Sequence, residues 1–130
     1  MKTVRLVLGF LSGAFLLLSG LAHSILGWKG LSAELAKAQV PSDMIQAVAI
    51  GWHFGGAAML AFGIIVLWSF IDRARGRVVS TRPVALIGLL YVAFGGWALV
   101  VSNMSPFFLM FVVLGVLLLA ASWQPKGEGA

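Results

Sequence analysis

The chain has 130 residues, of which 61% are hydrophobic and only 10% charged, with Lys+Arg 9 against Asp+Glu 4 and a formal net charge of +5. Soluble domains run at roughly 45–50% apolar and about 25% charged, so this composition excludes an ordinary water-soluble fold. There is no cysteine, which removes disulfides, thiolate ligands and thiol redox chemistry.

Four runs free of Asp, Glu, Lys and Arg account for most of the length: Leu6–Gly27, Met44–Ile71, Pro83–Ser102 and Pro106–Trp123. Each reaches the ~17 residues that a helix needs to cross a bilayer. The sequence therefore predicts an all-α integral membrane protein, a four-transmembrane-helix bundle of up-down-up-down topology forming a single domain over residues 1–130. A basic N-terminus followed by an apolar stretch and Gly20-Leu21-Ala22 also fits a secretory signal cleaved after Ala22. The stretch exceeds the core of such signals, and a retained first span is the expectation.

The first run carries a stripe at alternating three- and four-residue spacing, Gly9, Gly13, Leu16, Gly20, His23 and Gly27. The segment 28–43 follows as an outer, amphipathic loop. Within it Ser32 is expected to cap a short helix carrying Leu31, Leu35 and Ala38 on one side and Glu34 and Lys37 on another. Pro41 ends this piece, and Ser42 is placed to cap the second span.

The second run repeats the stripe as Gln46, Ala49, His53, Gly56, Leu60 and Gly63. If the first two runs pair as an antiparallel hairpin, His23 falls level with His53, Gly20 with Gly56, Leu16 with Leu60, Gly13 with Gly63 and Gly27 with Ala49. The loop 72–82 is a basic, solvated connection containing Gly76. The third run has a stripe of its own, Gly88, Tyr91, Gly95, Ala98 and Ser102, and the connection Asn103-Met104-Ser105 is short enough to make runs three and four antiparallel neighbours. Asn103-Met104-Ser105 matches a glycosylation acceptor pattern but lies too close to the bilayer to serve as one. The fourth run, rich in Leu, Val and Phe, is expected to be the most lipid-facing, and the polar tail from Gln124 to be disordered.

Charge sets the orientation. Lys2, Arg5, Arg73, Arg75, Arg77, Arg82 and Lys126 fall on one side, and only Lys29 and Lys37 on the other. The positive-inside rule places both termini and the arginine loop in the cytoplasm, as a multi-pass protein of a bacterial inner membrane. Topology accounts for the basic loop, so nucleic acid is not an expected partner; the lipid bilayer is, together with a homo-oligomer or a larger membrane complex.

Small residues on membrane helices let backbones approach, so close packing is the plainest meaning of the stripes. A slot is the other. The expected cofactor-binding residues are then His23, His53, Gly20, Gly56, Tyr91 and Gly95, with His23 and His53 as metal ligands only if a haem is present. Two imidazoles from separate helices are a standard axial pair for haem b, and a quinone or other lipophile would use a histidine as hydrogen-bond partner. Ser19, Ser24, Gln46, Ser102 and Asn103 are candidates to complete an outer-side polar network.

No run contains an acidic residue, which argues against a proton-coupled transporter using a membrane carboxylate. No nucleotide loop and no serine–histidine–acid set is present, and no charge ring or filter sequence supports an ion channel. The leading functional expectation is a small non-enzymatic membrane protein, either an accessory or assembly subunit or a binder of a lipophilic molecule near His23 and His53. A bis-histidine haem b electron carrier, linked to quinone, is the alternative.

Overall fold

The computed structural model describes residues 2–123; the expected disordered tail lies outside them. Every regular element among these residues is helical. In chain order they are α1 (Lys2–Ala22), a π-helical turn (His23–Gly27), α2 (Trp28–Lys37), α3 (Ser42–Ala74), α4 (Arg82–Val101), a 3-10 turn (Pro106–Phe108) and α5 (Leu109–Ser122). Three helical stretches are long and apolar enough to cross a membrane: Lys2–Lys37, Ser42–Ala74 and Arg82–Val101. The apolar stretch Pro106–Ser122 is shorter.

The segment expected as an outer loop with its own capped helix is instead a continuation of the first helix. Nothing between Ala22 and Lys37 forces a break, since no proline occurs there. Ser32 does not cap; its hydroxyl donates to the Lys29 carbonyl one turn back on the same helix. The π turn at His23–Gly27 joins the two α-helical parts without ending the helix.

Three helices close in the same way. At Lys37 the N–H of Gln39 donates to the Ala36 carbonyl and that of Val40 to the Leu35 carbonyl, with Gln39 at φ 54°. The α3 end repeats this with Gly76 (φ 77°) donating to Arg73 and Arg77 donating to Asp72. The α4 end does so with Asn103 (φ 55°) and Met104 donating to Val100 and Leu99. Each is a Schellman closure that satisfies carbonyls the helix leaves open. Glycine and asparagine are the usual residues for the left-handed position; Gln39 adopts it against its intrinsic preference.

The chain divides into two compact units, residues 1–13 with 65–130, and residues 14–64. In the first unit α4 and α5 are antiparallel neighbours, as the short connection requires. The α4 stripe is their contact line: Val84, Ile87, Gly88, Tyr91, Gly95 and Ala98 are buried. A Cβ on Gly88 would stand 2.9 Å from the Gly115 carbonyl oxygen, and one on Gly95 would stand 2.8 Å from the Val112 backbone nitrogen. Thr81 ties the far end by donating its hydroxyl to the Ser122 carbonyl at 2.7 Å. The fourth run is thus not lipid-facing throughout: Leu114, Gly115, Leu118 and Ala121 are buried. Of the three long stretches, the one formed by α3 is the least covered, with 22% of its most apolar window buried against 33% in the others. In this unit the Phe70 ring also lies against Gly9, and a Cβ on Gly13 would stand 2.8 Å from the Leu67 side chain.

In the second unit the later part of α1 runs antiparallel to the earlier part of α3. Cβ atoms on Gly20 and Gly63 would meet the Leu60 and Leu17 side chains, each at 2.9 Å. The expected pairing of Gly20 with Gly56 is present, a Cβ on Gly20 falling 2.9 Å from the Gly56 carbonyl oxygen. Elsewhere the contacts stand about a turn from the expected register, so that Gly63 receives Leu17 and not Gly13. Large residues fill the gaps that glycines leave, because facing leucine with leucine would hold the backbones apart while facing glycine with glycine would leave a void.

Candidate functional site: two histidine–tryptophan pairs

His23 opens the π turn. Its carbonyl accepts the Trp28 N–H, five residues on, and also the indole Nε1–H of Trp52 at 2.7 Å. In return the His23 Nε2 stands 3.2 Å from the Trp52 carbonyl oxygen. A carbonyl only accepts, so Nε2 carries the proton and Nδ1 keeps the lone pair in the neutral ring. The imidazole and indole are stacked, centroids 4.1 Å apart and planes 9° from parallel. One side chain on each helix therefore bonds to the other helix's backbone while the two rings cover one another.

Glycine matters to this arrangement at position 27, while position 55 leaves ordinary contact distance. A Cβ on Gly27 would stand 3.0 Å from Cζ2 of the Trp52 indole, and a Cβ on Gly55 would stand 3.5 Å from the His23 Nε2. Any side chain at 27 crowds the ring that His23 stacks on. Ser24, expected in the polar network, lies against Gly56. Ser102 instead donates to the Leu99 carbonyl of its own helix.

His53 takes a different neighbour. Its ring lies 5.5 Å from that of Trp28 at an interplanar angle of 57°. Two crossed pairs result, His23 with Trp52 and Trp28 with His53, in place of a facing pair of imidazoles. The reason lies in helix geometry. Gly56 is buried, and the position four residues before it lies 40° around the helix while the position three before lies 60° away. Trp52 therefore stays nearer the covered face, half-buried, and His53 turns outward and is exposed. Exposed Ile50 and Phe54 flank it.

Of the other expected site residues, Gly20 and Gly56 meet at the α1–α3 contact of the second unit, whereas Tyr91 and Gly95 belong to the α4 face against α5. Tyr91 is 4% exposed and its ring stacks on Phe111 at 5.9 Å. Trp52 is the residue of the site that the sequence reading did not single out. Its signal was its position four residues before Gly56.

Chemically the site holds two imidazoles and two indoles. Among the described residues no group of three or more His, Cys, Asp or Glu comes together. The chain matches no family model, no curated protein and no solved structure.

Proposed function

We propose that this chain is a small non-enzymatic integral membrane protein that serves as an accessory or assembly subunit, docking a partner through the α3 face that carries His53. The observation that carries this reading is an exposed histidine on the least covered of the long helical stretches, between exposed Ile50 and Phe54. By a rise of 1.5 Å per residue, His53 sits only about 7 Å from the centre of the apolar run 44–71. Lipid offers it no hydrogen-bond partner at that depth, and a polar side chain there marks a functional surface. A partner helix supplying a carbonyl or hydroxyl, or a second copy of the chain, would satisfy it.

The finer topology belongs to the same proposal: four spans, up-down-up-down, with both termini and the loop 72–82 in the cytoplasm of a bacterial cell. The distribution of Lys and Arg supports it. Close glycine contacts in both units support reading the stripes as packing surfaces and not as the walls of a slot. The haem b reading has less support, because the Nε2 of His23 already donates to a carbonyl and one ring face lies on an indole. A quinone or other lipophile would have to use His53.

Native mass spectrometry of protein extracted in mild detergent tests the docking role. A homo-oligomer or larger complex that disperses on His53→Leu into monomers that are still folded is the expected result. A bare monomer for the unaltered chain overturns it. An absorption spectrum of haem-replete preparations, oxidised and reduced, is expected to show no b-type bands.

A further inference from the structure

The α3 stripe splits in the folded chain. Gly56 and Gly63 are buried against α1, whereas its two polar side chains, Gln46 and His53, are exposed. These two stand seven residues apart, two helical turns, and so lie on one side of α3. Ile50, Ala57 and Ile64 are exposed on the same side, which makes a second seam at spacings of four, three, four and seven residues. The whole seam falls within the second unit. No hydrogen bond reaches the Gln46 or His53 side chain among the described residues. The Trp28 ring touches His53 at a tilt and leaves it exposed.

We propose that this seam packs against the same seam of a second copy of the chain, α3 beside α3 in parallel, with His53 against His53 and Gln46 against Gln46. The proposal rests on the reading of α3 as a docking face and names its occupant. Copies of one chain enter a bilayer in one orientation. A two-fold axis along the membrane normal therefore sets each α3 residue at the depth of its own counterpart, and the interface must be self-complementary.

Both polar residues of the seam meet that condition. A neutral imidazole has one N–H and one bare nitrogen, and a primary amide has an NH2 and a carbonyl, so each type donates to its own copy. Carboxylates, ammoniums and guanidiniums repel their copies, and none occurs between residues 44 and 71. Ala57, one turn beyond His53, is small and lets the backbones close on the histidines. Register follows as well, because a slip of one turn sets an imidazole against Ile50 or Ala57 with no partner in hydrocarbon.

The test uses the full chain purified alone in mild detergent. It has no cysteine of its own, so single cysteines report proximity. Ile50 and Val48 are both exposed but lie about 160° apart around α3. Oxidation is expected to couple Ile50→Cys into a disulfide-linked dimer and to leave Val48→Cys monomeric. Gln46→Leu and His53→Leu should each weaken self-association about threefold, and together about tenfold, as two separate interhelical hydrogen bonds of average strength require. Helix content by circular dichroism verifies that these variants are folded, and the Ile50→Cys result stands without them. Coupling of Val48→Cys as readily as Ile50→Cys, or self-association unmoved by the double variant, overturns the proposal. So does a chain that stays monomeric at every detergent ratio. If that monomer still binds a different membrane protein through His53, the docking face stands and only its occupant changes. A monomer that binds nothing removes both.

Discussion

Trp52 shows how one side chain can organise two helices. Its indole donates to the His23 carbonyl, its carbonyl accepts from the His23 ring, and its face covers that ring. Trp52→Phe retains the stacking surface and removes only the indole donor. Hydrogen bonds between membrane helices contribute about 0.6 kcal/mol on average and up to about 1.7. A loss of about 1 kcal/mol in thermal or denaturant unfolding is therefore expected for Trp52→Phe, and an unchanged midpoint would show that the bond contributes nothing. His23→Leu should cost more, since it leaves the Trp52 carbonyl without its ring donor and removes the stack as well. His53 is exposed and His53→Leu loses only the tilted contact with the Trp28 ring, so it is expected to cost the monomer at most about 0.5–1 kcal/mol, less than His23→Leu, with its main effect in association. This contrast between two histidines of the same composition follows from burial and partners alone.

At the scale of elements, the helix ends and the glycine crossings carry the specificity. Gln39 occupies a left-handed position at φ 54° that glycine adopts without steric penalty. Gln39→Gly should raise the melting temperature, with a gain of up to about 1 kcal/mol, the left-handed penalty less the added freedom of the unfolded chain. A fall on calorimetry would mean that the Gln39 side chain makes a compensating contact. The α4–α5 crossing depends on Gly115, where a Cβ would stand 2.6 Å from the Gly88 carbonyl oxygen and 2.7 Å from the Val92 backbone nitrogen. Those neighbours are backbone and cannot swing aside. Gly115→Ile must therefore separate the helices, and the overpacking cost is about 1–3 kcal/mol or more. Cysteine cross-linking between α4 and α5 would report the separation, and unchanged cross-linking would show that the crossing does not rest on Gly115.

For the whole molecule, the asymmetry of basic residues makes the sharpest statement. Lys2, Arg5 and the four arginines between the second and third runs are expected on one side of the membrane. Reporter fusions at the C-terminus and after Arg77 should both be active as cytoplasmic reporters, and a fusion after Lys37 as an external one. A C-terminal reporter active outside would remove one span from the proposed topology.

What the amino-acid order determined unaided is the helical class, the long apolar helices, their approximate limits and the stripes on which they approach. These follow from local quantities: charge-free length, spacing near 3.6 residues per turn, and prolines and glycines at the ends. The buried first stripe and the α4 stripe against α5 were legible for that reason, as was Gly76 in the turn after α3. The continuity of helix through 23–37 was not, because a π turn has no compositional mark, and Ser32 reads as a cap until its neighbours are known to be helical. The partner of each histidine was also decided only in three dimensions. A heptad stripe has two flanks, and sequence spacing alone does not say which flank the neighbouring helix covers. Close packing chose the one bearing Trp52, where an indole bonds across the contact, and filled glycine gaps with leucines from the facing helix. That choice left His53 exposed and made it the residue on which the proposed docking role depends.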